Sequence, residues 1–196
     1  YLIDENLNIA HTWNLSTECN YTVQLKENGN LVRGTKYNGN QFGGAAEAGR
    51  VQEIDPLGNI VWDYIYSDSE HLSHHDLTLV GDNVLLTAWE VKSASEINAA
   101  GYDNTDSDKW PTHFVELAPN GNGGADIVWE WHIWDHTVQD VNSGLSNFGI
   151  VSEHPELFDI NRGPVGNDAG GPQGANADWM HINAIHYNSI LMERTD

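Results

Sequence analysis

The chain is short of basic residues. Eight Lys and Arg stand against 29 Asp and Glu, so its 196 residues carry a formal net charge of −21 at pH 7. Charged residues make up only 19% of it, so the acidity reflects missing cations rather than surplus carboxylates. A surface this anionic repels phosphate backbones and anionic lipid, which excludes nucleic-acid binding as the main task. There is one cysteine, Cys19, which rules out an internal disulfide framework and any CxxC site. A lone thiol of this kind is expected to be buried and inert. No apolar run approaches the roughly 18 residues of a membrane-spanning helix. The chain opens on Tyr1-Leu-Ile-Asp4, which reads as the middle of a strand, with neither an initiator Met nor a signal peptide. A mature or partial chain shows neither.

Helix signals are also scarce. What replaces them is 19 Gly, recurrent Asn-Gly and Gly-Asn pairs, eight Trp and short β-rich runs. Tyr21-Thr-Val-Gln-Leu25, Gly58-Asn-Ile-Val-Trp62 and Asn83-Val-Leu-Leu-Thr87 are examples. Such runs between turn residues predict an all-β protein. Two sequons, Asn14-Leu15-Ser16 and Asn20-Tyr21-Thr22, are glycan acceptors only in a secreted eukaryotic chain.

The runs repeat. One unit runs from Val51 through Trp62, then His75 to Leu79 and Val84 to Leu86. A second runs from Phe114 through Trp129, then His181 to Ile185 and Ile190 to Met192. A diverged copy begins the chain and contains Trp13 and Tyr21-Thr-Val-Gln-Leu25. Each copy reads strand, turn, strand ending in Trp, loop, strand, turn, strand, which is the grammar of a propeller blade. The expected fold is therefore a single β-propeller domain of four-stranded blades over residues 1–196, with blades at about 1–36, 50–92 and 113–194. A long loop insertion is expected over about 131–178. Three blades do not close a ring of four to eight, so the propeller is expected to be incomplete.

Ten His cluster along the chain: His71, His74 and His75 before Asp76, His132 and His136 around Asp135, then His181 and His186. His75, His181 and Tyr21 fall at the same repeat position, and equivalent positions in a propeller share a radius and a height. The three are expected to converge on one end of a central channel.

Several of these stretches together resemble the aryl-sulfate sulfotransferases (arylsulfotransferases). They are His74-His75-Asp76-Leu77 with Ala88-Trp89-Glu90, the run from Ile127 to His136, His154-Pro-Glu-Leu157, and Asp178-Trp-Met-His-Ile-Asn-Ala-Ile185. The Asp-Trp-x-His-x-Asn segment is the most specific. The resemblance implies a six-bladed propeller, secreted or periplasmic. The implied activity moves a sulfuryl group from an aryl sulfate to a phenolic acceptor through a sulfated His, without a nucleotide donor. Carried over, His181 and Asn183 match an anion-binding pair, Arg194 the Arg on the following strand, and His75 a His of an earlier blade. His74, Tyr21 and Trp179 are the candidate substrate contacts. The resemblance puts the nucleophilic His downstream of Arg194, so none is named here.

Neutral imidazole attacks sulfur near pH 7. Fixed donors aimed at the oxygens of a sulfuryl group in flight lower its barrier. The expected partners are thus an aryl sulfate and a phenol, with no nucleic acid, no membrane span, no cofactor and no metal; a homo-oligomer is compatible.

Two other readings use the same residues. His71, His74, His75 and Asp76, or His132, Asp135 and His136, offer imidazole and carboxylate ligands for zinc or a similar ion. A non-enzymatic secreted propeller, used for binding or as a building unit, fits the heavy acidity. Asp103, Asp106 and Asp108 lack the order of a calcium loop and read as a solvated acidic loop.

Overall fold

Two segments with Asp first and Asn fifth build matching hairpin turns. In Asp4-Glu-Asn-Leu-Asn8 the Asp4 carboxylate accepts the N–H groups of Asn6 and Asn8 at 2.9 and 2.8 Å. In Asp55-Pro-Leu-Gly-Asn59 the Asp55 carboxylate accepts those of Leu57 and Asn59, both at 2.8 Å. The fourth residue has a positive φ in each turn, 65° at Leu7 and 89° at Gly58. A carboxylate that closes a turn on its own backbone selects a hairpin over a helix.

The computed structural model describes residues 1–102, 107–121, 123–162 and 177–192. Its strands are β1 (Leu2–Ile3), β2 (Ile9–His11), β3 (Cys19–Leu25), β4 (Leu31–Lys36), β5 (Gly49–Ile54), β6 (Ile60–Ile65), β7 (His71–Val80) and β8 (Asn83–Glu90). After helix α1 (Ala94–Ala99) come β9 (Trp110–Pro119), β10 (Ala125–His132), β11 (Thr137–Val138), β12 (Phe158–Asp159) and β13 (Asp178–Trp179). The short helix α2 (Ser189–Met192) follows.

The protein is all-β, with about 45% of its residues in strands and curled sheets that form a half-barrel. Strands β3-β4-β5-β6 make one antiparallel meander and β7-β8-β9-β10 a second, with β13 added in parallel to β9. Among the described residues the sheets do not close into a ring.

The sheets run out of phase with the sequence units. One spans strands from Cys19 to Ile65 and the other from His71 to His132, so the expected bounds 1–36, 50–92 and 113–194 cut across them. A cyclic strand-turn pattern has a period but no marked beginning. The gap after Trp62 is the crossover between sheets rather than a loop inside one.

The Trp residues that mark the repeat span this boundary. Trp13 donates its indole N–H to the Asp55 carbonyl at 3.0 Å, and Trp62 donates to the Gly124 carbonyl at 2.9 Å. Each reaches a hairpin turn of the sheet that follows it. Trp129 in β10 is 46% exposed.

The core lies between the two meanders. Val32, Val51, Trp62 and Tyr66 pack against Leu77, Val84, Leu86, Ala88, Val115 and Leu117. The alternation Val84, Leu86, Ala88 puts one face of β8 into this core. Each fully buried Val or Leu contributes about 1.5–3 kcal/mol. Thr87 and Trp89, on the other face of β8, are also fully buried. The candidate site is built on that second face.

Part of the expected long loop is folded. A 3₁₀ turn over Ile133–His136 precedes β11, which pairs in parallel with β12. Buried Gln139 ties the segment down by donating to the Asn142 carbonyl and the Asn147 side chain. The glycine-rich stretches from Gly163 to Gly174 lie outside the described residues.

Candidate active site on the second sheet

Strand β7 carries a bulge where the His-rich motif lies. Ser73 pairs with Ala88 and Leu77 with Leu86, so His74, His75 and Asp76 together face Thr87 alone. The Thr87 hydroxyl sits against the bulge, donating to the His74 carbonyl at 2.5 Å and accepting the Asp76 N–H at 3.3 Å. His75 has a φ of 48°, and Met180, just before His181, has one of 52°. Left-handed backbone at a bulky residue is uncommon, and bulges of this type re-aim side chains beside sites.

The two re-aimed segments meet. His181 Nε2 lies 3.0 Å from His75 Nδ1, and His74 Nδ1 lies 3.1 Å from the same His75 atom. Asp178 supports them from β13. One of its oxygens lies 2.5 Å from His181 Nδ1, and the other accepts the indole N–H of Trp89 at 2.9 Å. Trp89 in turn stacks on the His74 ring at 4.2 Å. Thr112 of β9 lies 3.4 Å from His74 Nε2 and accepts the N–H of Ile182 at 3.3 Å. Asp76 does not enter the cluster, because its carboxylate accepts the N–H groups of Leu77 and Ile185.

Burial disfavours the charged form at His74 and His75. His74 is 1% exposed, and desolvation, then repulsion from His181 and His75, holds its pKa well below the ordinary value. His75 is half-buried, and desolvation followed by His181 lowers its pKa against the opposing pull of Asp178 and Asp76.

Of the residues singled out from sequence, His74, His75 and His181 come together. His181 does so from an irregular segment rather than from the expected strand. Asn183 is exposed on the same segment. Trp179 is 3% exposed and packs against Tyr102 and Trp134. Alternation along β13 sends its side chain away from that of Asp178. Tyr21 falls within β3, with its side chain outside the described residues, and Arg194 lies outside them altogether. So do Asp103 and Asp106 of the acidic loop.

Neither metal grouping read from sequence forms. His136 donates from Nδ1 to the His132 carbonyl and accepts the Trp131 indole N–H at Nε2, so both its nitrogens are engaged. His132 turns to Glu90 at 3.1 Å. His71 packs edge-on against His113. The ring nitrogens that do converge belong to His74, His75 and His181, all within 4.8 Å of one another.

Sequence reading passed over two contributors. Asp178 was part of a motif without a role of its own; its position three residues before His181 was the available signal. His113 was not singled out at all. It is fully buried, its Nε2 lies 2.8 Å from the Tyr66 hydroxyl, and its ring stacks on His132 at 4.9 Å. His132 continues to Glu90 and Lys92, a polar network inside the second sheet. The expectation of a buried Cys19 also fails. The residue is exposed near the start of β3, with its thiol turned to the Thr22 carbonyl at 3.4 Å.

Half-buried aromatic rings border the cluster. Phe42 lies 4.8 Å from Trp110, which lies 5.9 Å from Trp89. Imidazoles, a carboxylate that orients one of them and adjacent aromatic faces suit proton transfer and polar-group handling on an aromatic molecule.

The family model described as Arylsulfotransferase (ASST) matches residues 1–191 of the chain. No curated protein and no solved structure matches it.

Proposed function

The chain belongs to the arylsulfotransferase family, and from that premise we propose that it moves a sulfuryl group from an aryl sulfate to a phenolic acceptor. One observation carries the reading: the contact chain Asp178–His181–His75 lies against the Trp89 ring, which connects it to the Trp110 and Phe42 rings. In the first half-reaction the aryl S–O bond breaks, phenolate leaves and a His nitrogen takes the sulfuryl group. In the second half-reaction that group passes to the acceptor oxygen, which must lose its proton.

His181 suits the proton step. With its Nδ1–H donated to Asp178, its lone pair lies on Nε2, where it accepts the phenol proton as a general base. Once protonated, Nε2–H becomes a donor to the sulfuryl oxygens. His75, Asn183 and Arg194 supply further donors, and Arg offers a permanently charged fork. The sulfo-His intermediate, the site as one end of a six-bladed propeller and a secreted or periplasmic location complete the reading, each supported by the family resemblance.

The test is incubation of the full-length protein with a chromogenic aryl sulfate and a phenol. Release of the coloured phenol, dependent on acceptor and accompanied by a sulfuryl adduct on a His-containing peptide, is expected. No release from protein with native circular dichroism overturns the proposal.

A further inference from the structure

His75 Nδ1 is within 3.1 Å of one imidazole nitrogen and 3.0 Å of another. That atom carries at most one proton, which serves one neighbour. Ligand nitrogens on a tetrahedral ion with bonds of about 2.0–2.1 Å stand about 3.3 Å apart. The spacing around His75 is close to that of an occupied coordination sphere.

The surroundings match a metal centre in other respects. The Asp178 carboxylate holds His181 Nδ1 and is itself held by Trp89. Carboxylate–His pairs of this kind fix ligand orientation in zinc sites. His74 is buried while His75 and His181 are half-buried, which leaves one side of the group accessible. Three imidazoles without thiolate or carboxylate ligands suit a late first-row ion rather than magnesium or calcium.

We propose that His74 Nδ1, His75 Nδ1 and His181 Nε2 bind one zinc(II) ion, with Asp178 orienting His181 and a fourth position left open. Zinc there occupies the His181 Nε2 lone pair that accepts the phenol proton in the transfer reaction, so the zinc-bound form does not carry out that proton step and zinc acts as an inhibitor of transfer.

Zinc chloride titrated into chelator-treated protein, followed by calorimetry, tests the site in the absence of aryl sulfate, so zinc binding and sulfuryl transfer stand or fall separately. One ion per chain is expected. His75→Ala and His181→Ala should each weaken binding by at least 100-fold, and Asp178→Asn by about 10–100-fold. Substoichiometric binding, or unchanged affinity in both alanine variants, overturns the proposal. Cobalt(II) bound to unmutated protein gives a readout independent of how the variants fold. Intense four-coordinate visible bands are expected, and a weak six-coordinate spectrum overturns the site.

Discussion

Asp178 precedes His181 by three residues and holds it through a 2.5 Å contact between carboxylate Oδ2 and ring Nδ1. The other oxygen of the same carboxylate accepts the indole N–H of Trp89. Two donors therefore converge on a group with two acceptor oxygens. In Asp178→Asn only one oxygen remains, so either Trp89 or His181 meets an amide N–H instead. A stability loss of about 1–3 kcal/mol is expected from the unpaired buried donor. Turnover with aryl sulfate should fall at least tenfold while KM changes little, since the ring is mispositioned rather than removed. Denaturant unfolding and steady-state kinetics check both. Unchanged turnover would take Asp178 out of the positioning role.

His181 and His74 should separate chemistry from folding. The His181 side chain is 22% exposed, and cutting it back leaves one Asp178 oxygen without its donor. His181→Ala is expected to lower turnover about 10²–10⁴-fold, the range for a lost general base, with a stability loss of about 1–2 kcal/mol. His74 is buried and stacked on Trp89. His74→Ala opens a cavity and should destabilise by roughly 2–4 kcal/mol, as for other buried rings cut to Ala. Equal effects of both variants on melting and on turnover would contradict this division.

The strand pattern and the His75–His181 approach were legible because both follow from spacing: turn residues mark hairpins, and equivalent repeat positions meet. Phase was not legible. Nothing in Val51 to Trp62 says whether the next strand joins the same sheet; the strand pairing decides it, with β6 the edge of one meander and β7 the edge of the next. A motif residue such as Trp179 does not announce its packing: only the fold shows it buried against Tyr102 and Trp134. His113 lies alone in the sequence and finds Tyr66, His71 and His132 only after the sheet forms.

Cys19 should react in the native protein. It is exposed, yet partial burial of the thiol pushes its pKa up, and attraction to Arg33 only partly opposes that. The thiolate is the reactive form. One maleimide adduct per chain is expected without denaturant, with a rate several-fold below that of a free thiol at pH 7 and climbing steadily toward pH 9. Labelling only after unfolding would show the thiol to be closed.

Stability should fall on mild acidification, and the buried histidines set the window. Burial first, then repulsion from His132 and His71, lowers the pKa of His113 to about 3. His74 is held well below its ordinary value of 6.5. In the unfolded chain both rings take a proton near pH 6.5, while in the fold both stay neutral. Below that pH the unfolded state binds more protons, so stability present above 6.5 is lost as pH falls toward the folded values. Each ring contributes up to about 2 kcal/mol of loss between pH 6.5 and 5. The lowered carboxylates, Asp4, Asp55, Asp63, Asp68, Glu96 and Glu156, act elsewhere. Their contribution is present above about 4 and is lost below it, so the loss between pH 6.5 and 5 belongs to His. Denaturation midpoints at pH 7, 6 and 5 should decline, and His113→Gln should flatten the slope by about half whatever its effect on absolute stability. A flat profile in the unmutated protein would mean that His113 and His74 gain their protons without unfolding the sheet around them.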